Sequence, residues 1–152
     1  MKTILLTFTV TVLVGIFIPG CVESPRSVFL SEDVQHSIPL DQIYSGGPGK
    51  DGIPALTNPR VLTVSEGDGY LRDEDIVIGV EFDGESRAYP IRILNWHEIV
   101  NDTVGGMDVL ITFCPLCGTG IVFNPRIDGV PRAFGVSGLL YNSDLLMYER
   151  GT

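Results

Sequence analysis

The sequence predicts a mainly β domain with one short helix, a β-rich α+β fold built as an antiparallel sheet or a small, partly open barrel. Three observations carry this. Apolar residues recur with a period of two in several separate stretches; Asp-Gly pairs stand between such stretches; and only one segment has the boundaries of a helix.

In chain order, Ile76, Ile78, Val80 and Phe82 alternate with Val77, Gly79 and Glu81, the pattern of a strand. Asp83-Gly84 tolerates the positive φ of a tight hairpin turn and leads into a second strand at Ser86–Tyr89. Ile91–Val100 is the helical segment. Pro90 stands at its start, while Asn101-Asp102 and Gly105-Gly106 lie beyond its end. Met107, Val109, Ile111 and Phe113 share one face of a further strand, followed by a strand at Thr119–Asn124. Asp128-Gly129 is expected to turn that strand back into Arg132–Val136. Asn142, Ser143 and Asp144 read as a polar turn before a last strand at Leu145–Tyr148. Such hairpin connections imply mostly antiparallel pairing. The chain stops just after this strand, and an edge strand with nothing following it reads as a C-terminal truncation.

The N-terminus has a different character. Lys2 precedes Ile4–Ile18, a stretch without a charged side chain, and Ile-Pro-Gly-Cys follows at 18–21. This is the layout of a secretory signal. Its apolar stretch is shorter than the roughly 20 residues of a membrane-spanning helix. A Cys after the small residue resembles the lipobox of bacterial and archaeal lipoproteins, in which that Cys is acylated and becomes the new N-terminus. The expectation is a signal peptide at 1–20 and an extracytoplasmic protein held to the membrane by lipid on Cys21. An uncleaved anchor, or a secreted protein with a free Cys21, is the plainer alternative.

Residues 21–52 read as a lipid-anchored tether, because Pro25, Pro39, Pro48 and Ser45-Gly-Gly-Pro-Gly49 break up a polar segment. Apolar residues between Val28 and Tyr44 could dock part of it on the domain at 53–152. Cleavage after residue 20 removes one of the 10 Lys and Arg and none of the 19 Asp and Glu, leaving a net charge of −10. So acidic a chain disfavours nucleic acid as a partner.

The densest chemistry lies in Phe113-Cys-Pro-Leu-Cys-Gly-Thr-Gly120. Two Cys separated by two residues can present both sulfurs to one ion or close a disulfide. Cys-Pro-x-Cys-Gly is the sequence of a zinc knuckle, in which turn N–H groups face the thiolates, but a structural zinc needs two more ligands. His97, in Asn95-Trp-His-Glu-Ile-Val-Asn-Asp102, is the preferred third ligand; His36 lies in the tether and reads as a bystander. Cys114, Cys117 and His97 would suit copper or zinc, with soft thiolates favouring cuprous ion. Glu98 or Asp102 would orient the ring from behind. The plainer reading of His97 is a hydrogen-bonded helix end.

Two other readings of the Cys pair stand beside the metal. A thiol–disulfide oxidoreductase would place Cys114 at a helix N-terminus, where the thiol pKa falls. The β-branched, Gly-rich residues after Cys117 do not predict that helix. A non-catalytic binding module would use the pair as a structural disulfide, which the compartment permits. Haem attachment is excluded because Gly118 stands where His is required. Ser137 lacks the glycine spacing of a nucleophile elbow.

Gly52-Ile-Pro-Ala-Leu56, Asp75–Val80, Arg87–Asp102, Cys114-Pro-Leu-Cys-Gly118 and Phe134–Asp144 together resemble the family called domain of unknown function 3179, over about residues 51–152. The resemblance implies an exported or lipoprotein-type chain whose domain continues into further strands. It also implies that Trp96-His97-Glu98 and Cys114–Cys117 occur together, which supports grouping them. It brings no settled activity.

Overall fold

In a computed structural model that describes residues 35–151, the chain is mainly β, with several antiparallel sheets of which none closes. The barrel alternative therefore gives way to open sheets. The signal segment, Cys21 and the first part of the tether lie outside the described residues. Among the described residues no helix is long and apolar enough to cross a membrane.

A single turn of 3-10 helix, Leu40–Gln42, leads into β1 (Tyr44–Ser45), followed by β2 (Leu56–Thr57). Helix α1 (Val64–Gly67) is one turn closed by a capping box between Thr63 and Glu66. Strands β3 (Val77–Phe82) and β4 (Glu85–Pro90) form the expected hairpin over Asp83-Gly84, both at positive φ. Helix α2 (Ile91–His97) is followed by β5 (Ile99–Val104), β6 (Met107–Cys114) and β7 (Thr119–Phe123). A small ribbon of β8 (Arg126–Ile127) and β9 (Val130–Pro131) precedes β10 (Phe134–Tyr141) and β11 (Asp144–Glu149).

Two expectations are corrected. The helix does not reach Val100: Glu98 takes φ 55° and reverses the chain, so Ile99–Val104 becomes a strand. Its apolar residues satisfy a helical spacing by coincidence, while Ile99 and Val100 in fact face opposite sides of a sheet. The Asp128-Gly129 turn closes only the β8–β9 ribbon; β10 pairs with β11 and β1, not with β7. Part of the stretch read as a tether docks on the domain. Tyr44 and Ser45 pair with Leu140 and Leu139, and the Asp51 N–H donates to Val136 O at 2.9 Å.

The central sheet has the order β2-β5-β6-β7, with β2 parallel to β5 and the other pairs antiparallel. One face buries Val100, Val104, Val109 and Ile111 under Val80 and Tyr89 of the β3–β4 hairpin and Leu94 of α2. The other buries Ile99, Leu110 and Cys114 against Val136 and Leu145 of the β10–β11 pair. Strand β6 is thus buried on both faces, which is why Val109-Leu-Ile-Thr112 reads as an unbroken run rather than an alternation.

Two polar side chains on β5 tie these layers together. Asn101 donates from Nδ2 to Leu56 O (3.2 Å) and Phe134 O (2.9 Å), and its Oδ1 accepts from the Phe134 N–H at 2.7 Å. Asp102 joins the central sheet to the β3–β4 hairpin, as described below. In β10, a bulge at Val136/Leu139 places Gly138 at φ 76° against residues 46–49. A Cβ there would lie 2.0 Å from Pro48 O, so glycine is required.

Candidate functional site

Cys114 ends β6 and Cys117 lies in the four-residue loop that turns β6 into β7. The loop is tightened by Gly118, at φ 70°, whose N–H donates to Cys114 O at 2.7 Å; the Cys117 N–H reaches the same carbonyl at 3.2 Å. The turn also aims the Cys117 N–H at Cys114 Sγ, 3.2 Å away. This is the N–H···S arrangement that the Cys-Pro-x-Cys-Gly sequence predicts.

The two cysteines differ in setting. Cys114 is 1% exposed, set among Ile99, Leu110, Val136 and Leu145, whereas Cys117 is half-buried and its neighbour Leu116 projects into solvent at 71% exposure. Burial pushes the Cys114 thiol up to about 12, and the adjacent Cys117 thiol adds to this; the N–H groups of Cys117 and Leu116 act in the opposite sense. Across the hairpin, Thr119 pairs in register with Cys114, and its Oγ1 donates to Asp144 Oδ1 at 3.0 Å. The Cys loop is thereby tied to β11. Cys114 follows a strand and opens no helix, so it lacks the helix-dipole activation of a redox thiol.

His97 lies at the same end of the sheet. The Phe113 N–H donates to Glu98 O at 2.8 Å, so His97 and Cys114 are each the next residue outward from one backbone bond. The segment Ile53–Ala55 touches both: Ile53 and Ala55 sit on the apolar cluster around Cys114, and Pro54 O accepts from His97 Nδ1 at 2.8 Å. A carbonyl can only accept, so Nδ1 carries the hydrogen, and Nε2 lies outside this bond. Nevertheless, among the described residues no group of three or more His, Cys, Asp or Glu side chains is disposed to hold a metal ion. The fold brings the three predicted residues to one end of the sheet without making a three-ligand cluster of them.

The imidazole is oriented by a backbone carbonyl. The bond that orients the ring goes to Pro54, not to Glu98 or Asp102. The Glu98 carboxyl is raised by its own burial. Asp102, 8% exposed, accepts from Arg87 Nη1 (2.6 Å), the Tyr89 hydroxyl (2.9 Å) and the Thr103 N–H (2.8 Å). Arg87 in turn lies 2.7 Å from Glu85. Burial, with the Asp102 hydrogen bond, pushes the Tyr89 phenol well above its usual range. The sequence does not signal this cluster, because the helical spacing of Ile91–Val100 puts Asp102 beyond a helix. Had β5 been recognised, Arg87 and Tyr89, two apart on β4, would have marked a polar stripe facing it. Ser137 has a structural role, donating to Leu146 O at 2.5 Å and accepting from the Leu139 N–H at 3.0 Å.

His97 also lines an open pocket of about 580 Å³ with Tyr70, Arg92, Ile93, Asn95 and Trp96.

No curated protein and no solved structure matches the chain. The family described as "Protein of unknown function (DUF3179)" matches residues 50–152, and the chain belongs to that family.

Proposed function

We propose that the protein handles a metal ion by binding rather than turnover, copper before zinc, at the outer face of a membrane to which lipid on Cys21 holds it. The observation that carries this is the Cys117 N–H directed at Cys114 Sγ from 3.2 Å, with a second thiol on the same turn. A backbone N–H pointing at a sulfur favours the thiolate, the form that ligates, and a bound cation supplies the remaining charge stabilisation.

Copper ranks first because of coordination number. Zinc in a structural site takes four ligands. The Cys pair offers two, and the described residues contain no larger cluster. Cuprous ion is soft, prefers thiolate and is satisfied by two sulfurs. His97 therefore moves from ligand to neighbour in this reading. The oxidoreductase alternative is weakened by a buried Cys114 whose thiol is raised rather than lowered. The structural disulfide remains the competing use of the pair.

Anaerobic titration of the reduced protein against a chromophoric cuprous chelator tests the proposal. One ion per chain is expected, lost in Cys117→Ser and kept in His97→Ala. Tight binding that survives Cys117→Ser would sink it. A pair that stays oxidised under mild reductant would favour the staple.

A further inference from the structure

Separate from the Cys pair is the pocket on the outer side of α2, whose volume of about 580 Å³ falls within the range of about 300–1,000 Å³ typical of small-molecule sites. Trp96 is 76% exposed and Tyr70 51% exposed, two large aromatic rings that the core does not use. Both sit beside hydrogen-bonding groups: the Asn95 amide, the Arg92 guanidinium and the His97 ring.

The disposition of those groups selects a ligand class. His97 is held through Nδ1 by Pro54 O, which leaves Nε2 for a ligand hydroxyl. Asn95 offers both a donor and an acceptor. Arg92 uses Nη1 on Tyr70 O (3.1 Å) and Asp75 Oδ2 (3.4 Å), and its guanidinium lies 5.1 Å from the Tyr70 ring centre. Its charge is therefore already partnered by Asp75, and the chain carries a net charge of −9. An anionic ligand would find little uncompensated positive charge. A purely apolar ligand would strand the polar rim. A ligand with a flat C–H face and a periphery of hydroxyls matches every group: the ring face stacks on Trp96, and its hydroxyls both donate to and accept from the rim.

We infer that this pocket binds a neutral saccharide, with Trp96 as the stacking platform and Asn95, Arg92 and His97 Nε2 as hydroxyl partners. A shallow site for one or two sugar rings implies a dissociation constant on the order of 1 mM.

Trp96 is the only Trp in the chain, so its emission reports on this site alone. The full chain is titrated with glucose, galactose, mannose, N-acetylglucosamine, maltose and cellobiose, following Trp emission and saturation-transfer NMR. At least one sugar is expected to bind saturably in one or both readouts. Trp96→Ala should lose the NMR response at unchanged circular dichroism, while Trp96→Phe, which keeps a stacking face, should retain it within roughly 10-fold. No saturable response to any of the six sugars overturns the inference, as does binding that survives Trp96→Ala or a Trp96→Phe variant no better than the Ala one. An emission shift that follows protein concentration without sugar also overturns it, and assigns Trp96 to a protein interface instead.

Discussion

Replacing Asp102 with Ala should destabilise the protein by about 4 kcal/mol. The magnitude follows from what the carboxylate holds. Removing one partner of a buried ion pair typically costs about 3–5 kcal/mol because the other charge is stranded. Here Arg87 keeps Glu85 at 2.7 Å, so the low end, about 3 kcal/mol, applies to that part. The Tyr89 hydroxyl, in a buried residue, then loses its acceptor, which adds about 1 kcal/mol. Asp102→Asn keeps the shape and one acceptor oxygen and should lose only about 1–2 kcal/mol. Equilibrium urea unfolding, with midpoints compared at constant slope, reads both. A loss under about 1 kcal/mol for Asp102→Ala would refute the view that this cluster bolts the β3–β4 hairpin to β5. So would an Asp102→Leu variant more stable than the parent, since the site would then be better filled by apolar atoms.

Three further outcomes follow from particular residues. Glu98→Gly should raise stability by about 1 kcal/mol, seen as a higher melting temperature. It relieves a non-glycine residue at φ 55° and removes a carboxylate that burial disfavours. The metal-free, reduced protein should lose stability as pH rises above about 9. The unfolded Cys114 thiol ionises near its ordinary value of 9.0, while the folded one stays protonated up to about 12, so rising pH favours the unfolded chain. Urea midpoints that fall between pH 8 and 10 in the parent, but less in Cys114→Ala, would bear this out; equal slopes would contradict it. Cys21→Ser should abolish metabolic incorporation of labelled fatty acid and release the protein from membranes, and persistent labelling would refute lipidation at Cys21.

The legible parts of the fold were those written in local pattern. Asp83-Gly84 specified its hairpin because the turn chemistry and the flanking alternation agree. The Cys loop was legible for the same reason, with Gly118 and the Cys spacing dictating a turn whose N–H groups face sulfur. Strand β5 was not, because Ile99–Val104 is buried on both faces and so carries no alternation to separate it from the helix before it. The role of Asp102 went with it, since a residue's partners depend on which element it occupies. The pairing of Tyr44–Ser45 with β10 was equally hidden: two residues in a polar stretch give no periodic signal, and the contact is made with a segment nearly a hundred residues away. His97 shows the limit most clearly. Sequence proximity to Trp96 and Glu98 suggested a carboxylate behind the ring, yet the backbone carbonyl of Pro54 fills that place, and a carbonyl leaves no trace in residue identity.

In the proposed function, Cys114 and Cys117 alone supply the ligands of a bound cuprous ion. X-ray absorption at the copper edge on the reduced, copper-loaded protein addresses it most directly. Two sulfur scatterers and no imidazole nitrogen are expected, in both the parent and His97→Ala. Failure of the reduced protein to retain copper, or a coordination shell dominated by nitrogen and oxygen, would contradict it.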